Sequence, residues 1–365
     1  MFNIQRDTKI YVFCEACYAT GGTEAIHQLV NQLRNLNHNA YVFYNTKTEN
    51  PKPKVYDCYN TRHVFEIEDN SKNILIVPEG SIGEINKYKN IQKAIWWLSV
   101  NNVQKNIGVI GNKVNKRFSG IKKIPGLYKI YAWFYQFGNI LFDFSDSKNK
   151  NVIHLAQSRY AENYLNKKTL SDLNESRYIY SLTDYLSEHH FKNKILKKEN
   201  IVLYNPRKGY ELTKKIIKYG EKEGIKFVAL TGMTPQQVSV LMSKSKVYID
   251  FGDHPGKDRM PREAAIKGCC VIVGLRGAAD FYQDVNILSK YKFSINLDKK
   301  AIIERIKDCF ENYEKNIKDF EMYKRVINTN KTQFYLEVLQ IFGENEKEKD
   351  NENEKEKDNK KENAI

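Results

Sequence analysis

The chain has no apolar run approaching the roughly 18–20 residues that a membrane-spanning helix needs. It also has no basic-then-apolar leader: Met1 to Lys9 is polar, and the first apolar run reads as a strand. Cysteine is sparse, six in 365 residues, which excludes a disulfide framework. Cys14-Glu15-Ala16-Cys17 has the spacing of a redox or zinc pair but no second pair to complete a site. Asp143-Phe144-Ser145-Asp146 has the wrong spacing for a metal-holding acidic motif, and no clustered metal site is expected. Helix-turn-helix, zinc-finger and RNA-recognition signatures are missing as well. These absences predict a reduced, cytoplasmic protein, peripheral at most on the inner face of the cytoplasmic membrane.

What is present is charge and aromatic bulk. The net charge is +15, and residues 344–362 carry nine acidic and six basic side chains, which leaves the remainder near +18. A surface that basic favours phosphate-bearing ligands, nucleic acid or an anionic membrane. Hydrophobic residues at 41% and aromatics at 12% are enough for real cores, so wholesale disorder is excluded. The length favours two domains.

The periodicity supports a two-domain α/β chain. Lys9 to Phe13 reads as a strand, Ile26, Leu29, Val30, Leu33 and Leu36 as one helix face, and Asn39 to Tyr44 as the next strand. That βαβ unit calls for a parallel sheet with a right-handed crossover. Ile74 to Val77, Ala94 to Val100 and Asn151 to Leu155 extend it, and a lysine-rich linker is expected near 191–200. Strands at Ile201–Tyr204, Phe227–Leu230, Val247–Phe251 and Val271–Val273 then alternate with helices at Glu211–Tyr219, Pro235–Ser243 and Arg262–Lys267. Gly220 is expected to stop the first of these helices, and two long helices, Lys300–Ile327 and Thr332–Phe342, follow. The expected organisation is a Rossmann-like domain at 1–190, a second at 191–330, a helix at 331–342 and a disordered tail at 343–365. The tail repeats Glu-Asn-Glu-Lys-Glu-Lys-Asp-Asn at 344–351 and 352–359.

The chemistry-bearing residues gather at predicted strand exits, where open α/β sheets bind ligands. Gly21 and Gly22 precede a helix, and the backbone can approach a ligand closely there. Arg207 and Lys208 follow one strand and read either as anion ligands or as a solvated turn. Gly232 and Thr234 follow another, with Thr234 placed to cap the helix opening at Pro235. The loop 252–263 carries Asp253, His254, Lys257, Asp258, Arg259, Arg262 and Glu263, with the helix read as opening on Pro261. Its three cations beside a helix N-terminus suit a phosphorylated ligand. Glu263 has a second reading, as a first-turn acid favoured by the helix dipole.

These motifs resemble the GT-B glycosyltransferases, in layout the retaining group 1 (family 4-like) enzymes of bacterial capsule and lipopolysaccharide synthesis. Gly21-Gly22-Thr23-Glu24 matches their Gly-Gly-x-Glu loop, and Arg207-Lys208-Gly209 approximates their diphosphate-gripping Arg and Lys-Gly. Glu263 with Gly268 to Ile272 matches their ribose-binding Glu before a Gly-x-x-Val-Ile strand. The first Glu of their Glu-x7-Glu pair is Pro255 here, so Asp253, His254 or Asp258 stands in for it. The Arg and Lys are adjacent, whereas the family separates them.

The resemblance implies two doubly wound domains facing across a cleft. It implies sugar transfer from a nucleotide-sugar donor to a surface glycan or lipid-linked acceptor, with the nucleotide sugar as substrate and no cofactor. Asp253, His254 and Glu263 become catalytic candidates, and Gly21, Gly22, Arg207, Lys208, Gly232, Thr234, Lys257, Arg259 and Glu263 donor-binding candidates. It further implies retention and independence of metal. A sugar-nucleotide epimerase of the same fold is the alternative, and a nucleic-acid-binding protein a more distant one. The segment 112–137 interleaves six cations with large aromatics and reads either as a contact with an anionic membrane or as core aromatics (Trp133, Phe134, Phe137) beneath a solvated lysine face.

Overall fold

The computed structural model describes residues 1–102, 144, 149–170, 178–192, 196–296, 298–343 and 345. The segment 112–137 and residues 346–365 lie outside the described residues, and so do the readings made of them.

Among the described residues two parallel sheets organise the fold. The first contains β1 (Lys9–Cys14), β2 (Asn39–Tyr44), β3 (His63–Val64), β4 (Ile74–Pro78), β5 (Gln92–Trp97), β6 (Ile153–Ala156) and β7 (Ile179–Ser181). Their order is β3-β2-β1-β4-β5-β6-β7. α1 (Gly21–Asn35) joins β1 to β2, and α2 (Arg159–Leu170) follows β6. The central strands are apolar on both faces and sandwiched between two buried clusters, as parallel strands must be when helices cover both sides.

The second sheet contains β8 (Glu199–Tyr204), β9 (Lys226–Ala229), β10 (Ser245–Asp250), β11 (Cys270–Gly274) and β12 (Lys292–Phe293). Their order is β12-β11-β10-β8-β9. α3 (Tyr210–Lys222), α4 (Pro235–Lys244), α5 (Arg259–Ile266) and α6 (Lys299–Glu311) complete this half around its own core.

Three sequence expectations are corrected. Gly220 does not end α3; a Cβ there would lie 2.7 Å from Phe227 Cε2 and 2.8 Å from Ile303 Cδ1, so the glycine serves close packing inside the helix. The helix expected over Lys300–Ile327 is broken at Asn312, and a single helix α7 (Glu321–Phe342) takes in both its end and the Thr332–Phe342 segment. α5 opens at Arg259, and Pro261 falls in its first turn, where its missing N–H costs nothing. Glu263 therefore sits a turn inside the helix, four residues from Arg259.

α7 ties the halves together. Tyr323 and Ile327 pack in the second core, while Phe334, Val338, Ile341 and Phe342 pack in the first. Asp284 reinforces the junction by accepting from the N–H groups of Arg159 (2.8 Å) and Tyr160 (2.9 Å) at the start of α2. Arg262 adds a buried ion pair with Asp184 at 2.7 Å.

Candidate active site

In an open doubly wound sheet the ligand crevice lies at the carboxyl ends of strands where the winding reverses. The strand orders put those points between β1 and β4 in the first sheet and between β8 and β10 in the second. The four loops leaving these strands meet around one interdomain cavity of about 480 Å³. Glu15 and Thr20–Thr23 come from the first exit, Pro78–Ser81 from the second, Lys208 from the third and Pro255–Met260 from the fourth.

Local sequence explains the walls. Thr20 caps α1 through a reciprocal pair with Thr23, so the helix starts at Gly21 with its N-terminus at the cavity. A Cβ at Gly21 would lie 2.7 Å from Arg259 Cδ, so only glycine lets that side chain lie across the helix start. Gly256 is pressed against the other domain: a Cβ there would fall 2.3 Å from Leu98 O and 2.5 Å from Gln157 Oε1. Val100 N–H donates to Pro255 O at 2.9 Å in the same contact.

The charges are arranged in pairs. Arg259 donates to Glu24 of α1 and, at 2.8 Å, to His190 Nε2, and its Nε lies 3.3 Å from Glu263 Oε1. Tyr59 OH donates to the second Glu24 oxygen at 2.8 Å. Burial, with the neighbouring Arg259 cation, pushes His190 down to about 3, which keeps it a neutral acceptor. Burial pushes Glu263 above the usual carboxylate range, although Arg259 and Arg262 pull the other way. Glu79 is buried at the β4 exit and accepts from Leu98 N and Asn102 Nδ2, both at 2.8 Å. Desolvation outweighs those bonds and raises it to about 7.

A second cluster forms part of the cavity wall, with Lys208, Asp250 and Asp258 lining it and His254 buried behind them. Lys208 Nζ is 2.5 Å from Asp258 Oδ1, and Asp258 Oδ2 is 3.1 Å from His254 Nδ1. His254 Nε2 lies 3.9 Å from Asp250 Oδ1. Burial opposes the imidazolium, but the two carboxylates prevail and His254 is raised above its ordinary value. Asp258 is lowered: burial raises it, and contact with His254 and Lys208 more than compensates. Asp250, His254 and Asp258 have ligand atoms within 4.8 Å of one another, close enough to share an ion. Two features fit an imidazolium better: each ring nitrogen faces a different carboxylate, and the Lys208 ammonium already sits on Asp258.

The structure thus brings Gly21, Gly22, Lys208, Lys257 and Arg259 to one cavity. The remaining candidates lie elsewhere. His254 is fully buried behind the wall, and Glu263 does not line the cavity but lies against Arg259, which does. Arg207 is exposed, its N–H held by Asn205 Oδ1 at 3.0 Å. Gly232 and Thr234 are exposed, with Thr234 capping α4 in a reciprocal pair with Gln237. Asp253 is paired with Arg276. Arg262, read as a phosphate ligand, is buried and committed to Asp184. Lys257 donates to Thr183 Oγ1 at 2.9 Å, and burial lowers its pKa. Glu79, Gln157, Asp184 and Asp250 also line the cavity and were not singled out. Glu79 and Asp250 stand at strand exits, the signal used for the others.

Two doubly wound parallel sheets facing across a cleft, bridged by a C-terminal helix, make the GT-B fold of glycosyltransferases. Solved structures agree over nearly the whole chain. T4 phage BGT in complex with UDP-glucose aligns with a TM-score of 0.53 at 11% identity, covering 92% of this chain and 99% of that one. Anabaena HepE in complex with UDP-glucose gives 0.56 at 8% identity, covering 91% and 98%. WaaG, a glycosyltransferase involved in lipopolysaccharide biosynthesis, gives 0.51 at 11%, covering 91% and 98%. At these identities the likeness is one of fold. In sequence, an alpha-1,6-glucosyltransferase of Actinobacillus pleuropneumoniae serotype 7 (strain AP76) is 33% identical over 66 residues. That match spans 18% of this chain and 20% of the relative. No protein-family model matches the chain.

Proposed function

We propose that the chain is a glycosyltransferase that takes its sugar from a nucleotide-sugar donor bound in the interdomain cavity. The observation that carries the reading is the meeting of both winding reversals on one cavity, with Lys208, Arg259 and the N-terminus of α1 at its surface. Fixed cations and helix N-terminal N–H groups stabilise a departing diphosphate without reorganisation during the reaction. The short match to an alpha-1,6-glucosyltransferase and the UDP-glucose complexes of the fold neighbours support this chemistry.

In this reading Lys208 meets the diphosphate from the cavity wall, Arg207 swings to it from the exposed turn beside Lys208, and Glu263 accepts from the ribose once Arg259 turns from it to the donor. Transfer proceeds with retention and without metal, onto a surface glycan or a lipid-linked acceptor on the side of the first domain. Liposome flotation with anionic and neutral lipids tests whether 112–137 brings the enzyme to that acceptor; failure of the intact protein to float removes the membrane from the proposal.

The donor site is tested with a thermal-shift panel of UDP-, GDP-, CMP- and dTDP-sugars, because a ligand that binds the native state raises its melting temperature. One nucleotide class should stabilise the protein, and Lys208→Ala and Glu263→Ala should each weaken its binding at least about tenfold. No stabilisation by any of them, with steeply salt-dependent polynucleotide binding instead, would favour the nucleic-acid alternative.

A further inference from the structure

We propose that Asp250, His254 and Asp258 form a buried carboxylate–imidazolium–carboxylate bridge that holds the Lys208 ammonium at the cavity, so that His254 is a positioning residue for the donor's diphosphate. The inference rests on the donor-site reading above and goes beyond it, because His254 itself touches no ligand.

A lysine ammonium rides on a flexible four-carbon stem, so placing it needs a fixed acceptor. Asp258 is that acceptor. It occupies the N-cap position of α5 but makes no side-chain bond to the helix. An aspartate there ordinarily accepts from the second or third helical N–H; this one turns instead to Lys208 and His254. Asp250 anchors the other end, accepting from Gly252 N at 2.9 Å and from Tyr248 OH at 3.2 Å. His254 is pinned between them by its backbone as well, since its carbonyl accepts from Ala278 N at 2.8 Å.

Two glycines let the Lys208 loop lie against this unit. Gly209 has a φ of +58°, and a Cβ on it would lie 2.5 Å from Gly252 Cα and Phe251 O. A Cβ on Gly252 would lie 2.7 Å from Lys208 Cβ. The β8 and β10 exits therefore touch backbone to backbone, with Lys208 between them.

The charge balance gives the bridge its function. The groups facing His254 are Asp250 at the end of β10, Asp258 before α5 and Lys208 from the β8–α3 loop. Burial raises Asp250 while the facing His254 pulls it down. With Asp250 ionised and His254 an imidazolium the four groups sum to zero, and an arriving diphosphate meets a neutral cluster whose ammonium faces it. With a neutral imidazole they sum to −1, and the wall repels the anion it has to bind. Donor affinity therefore falls as the pH rises through the raised His254 value.

The experiment measures binding of UDP, GDP, CDP and dTDP by calorimetry from pH 6 to pH 9, with selective observation of histidine ring nitrogens by NMR. The parent protein should bind one diphosphate and lose about tenfold in affinity across the range, a change of about 1.4 kcal/mol. His254→Gln should bind more weakly at pH 6 and show little of that pH dependence. Asp258→Asn serves as a second variant should His254→Gln not fold, with the same expectation. A His254→Gln profile parallel to the parent's would overturn the bridge while leaving the donor site standing. So would a neutral His254 ring at pH 6 in the folded parent. Binding of none of the four diphosphates would remove the donor site and the bridge with it.

Discussion

Arg259, the first residue of α5, reaches over the start of α1 to Glu24 and lies with its Nε 3.3 Å from Glu263. One guanidinium thus neutralises a carboxylate from each domain, and Gly21 clears the path for it. Arg259→Ala leaves two largely buried carboxylates facing each other. Removing one partner of a buried pair costs about 3–5 kcal/mol, and partial exposure of Arg259 reduces that to about 2–3 kcal/mol here. Arg259→Lys should recover little, because an ammonium cannot reproduce the planar fork that serves Glu24, His190 and Glu263 together. Denaturant unfolding measures the loss; equal stability of parent and Arg259→Ala would show that the bridge contributes nothing.

The fold was legible because both sheets are parallel and buried on both faces, so apolar strands stand out between amphipathic helices. The short edges β3, β7 and β12 were not, since two or three residues cannot display a period. Strand exits marked much of the cavity for the same topological reason. Pairing could not be read: Arg262 and Arg259 are three residues apart, yet one is spent on Asp184 and the other faces the cavity. That difference arises from where the partner domain places its carboxylates, which no local pattern encodes. The position of Glu263 in its helix was misjudged by two residues, because Pro261 is equally at home at any of the first positions of α5.

Gly256 offers a test of domain closure. Alanine there would drive its Cβ into Leu98 O and Gln157 Oε1, both from the first domain. Overpacking of this kind costs about 1–3 kcal/mol, and the strain is relieved by parting the domains. Gly256→Ala should therefore lower the melting temperature and increase the radius of gyration in small-angle scattering. Gly80→Ala is the control, since a Cβ there meets nothing within 4 Å. An unchanged scattering profile and melting temperature for Gly256→Ala would refute the close contact.

Glu79 gives a pH-dependent signature. Its folded value of about 7 lies above the ordinary 4.5, so between those pH values the folded state holds a proton that the unfolded state has released. Its contribution to stability accordingly declines as the pH rises from 4.5 to 7. Glu79→Gln abolishes that titration, so the variant should gain on the parent protein between pH 4.5 and pH 7.5. The measurement is the free energy of urea unfolding of both proteins at the two pH values. A difference between them that is the same at both would mean that Glu79 ionises normally.

Metal removal separates the two readings of Asp250, His254 and Asp258. If the three held a divalent ion, the ion would compete with the Lys208 ammonium for Asp258, and a chelator would lower both melting temperature and turnover. If His254 is an imidazolium between two carboxylates, the cluster is already neutralised by protein groups, and on the proposed donor site the diphosphate is met by Lys208 rather than by an ion. Dialysis against excess EDTA should then leave the melting temperature and donor binding unchanged, and turnover intact. Added manganese at micromolar concentration should not stabilise the protein, because binding would have to displace both a proton from His254 and the Lys208 contact. Inactivation by EDTA that manganese or magnesium reverses, lost in Asp250→Asn and His254→Gln, would identify the cluster as a metal centre and end the imidazolium account.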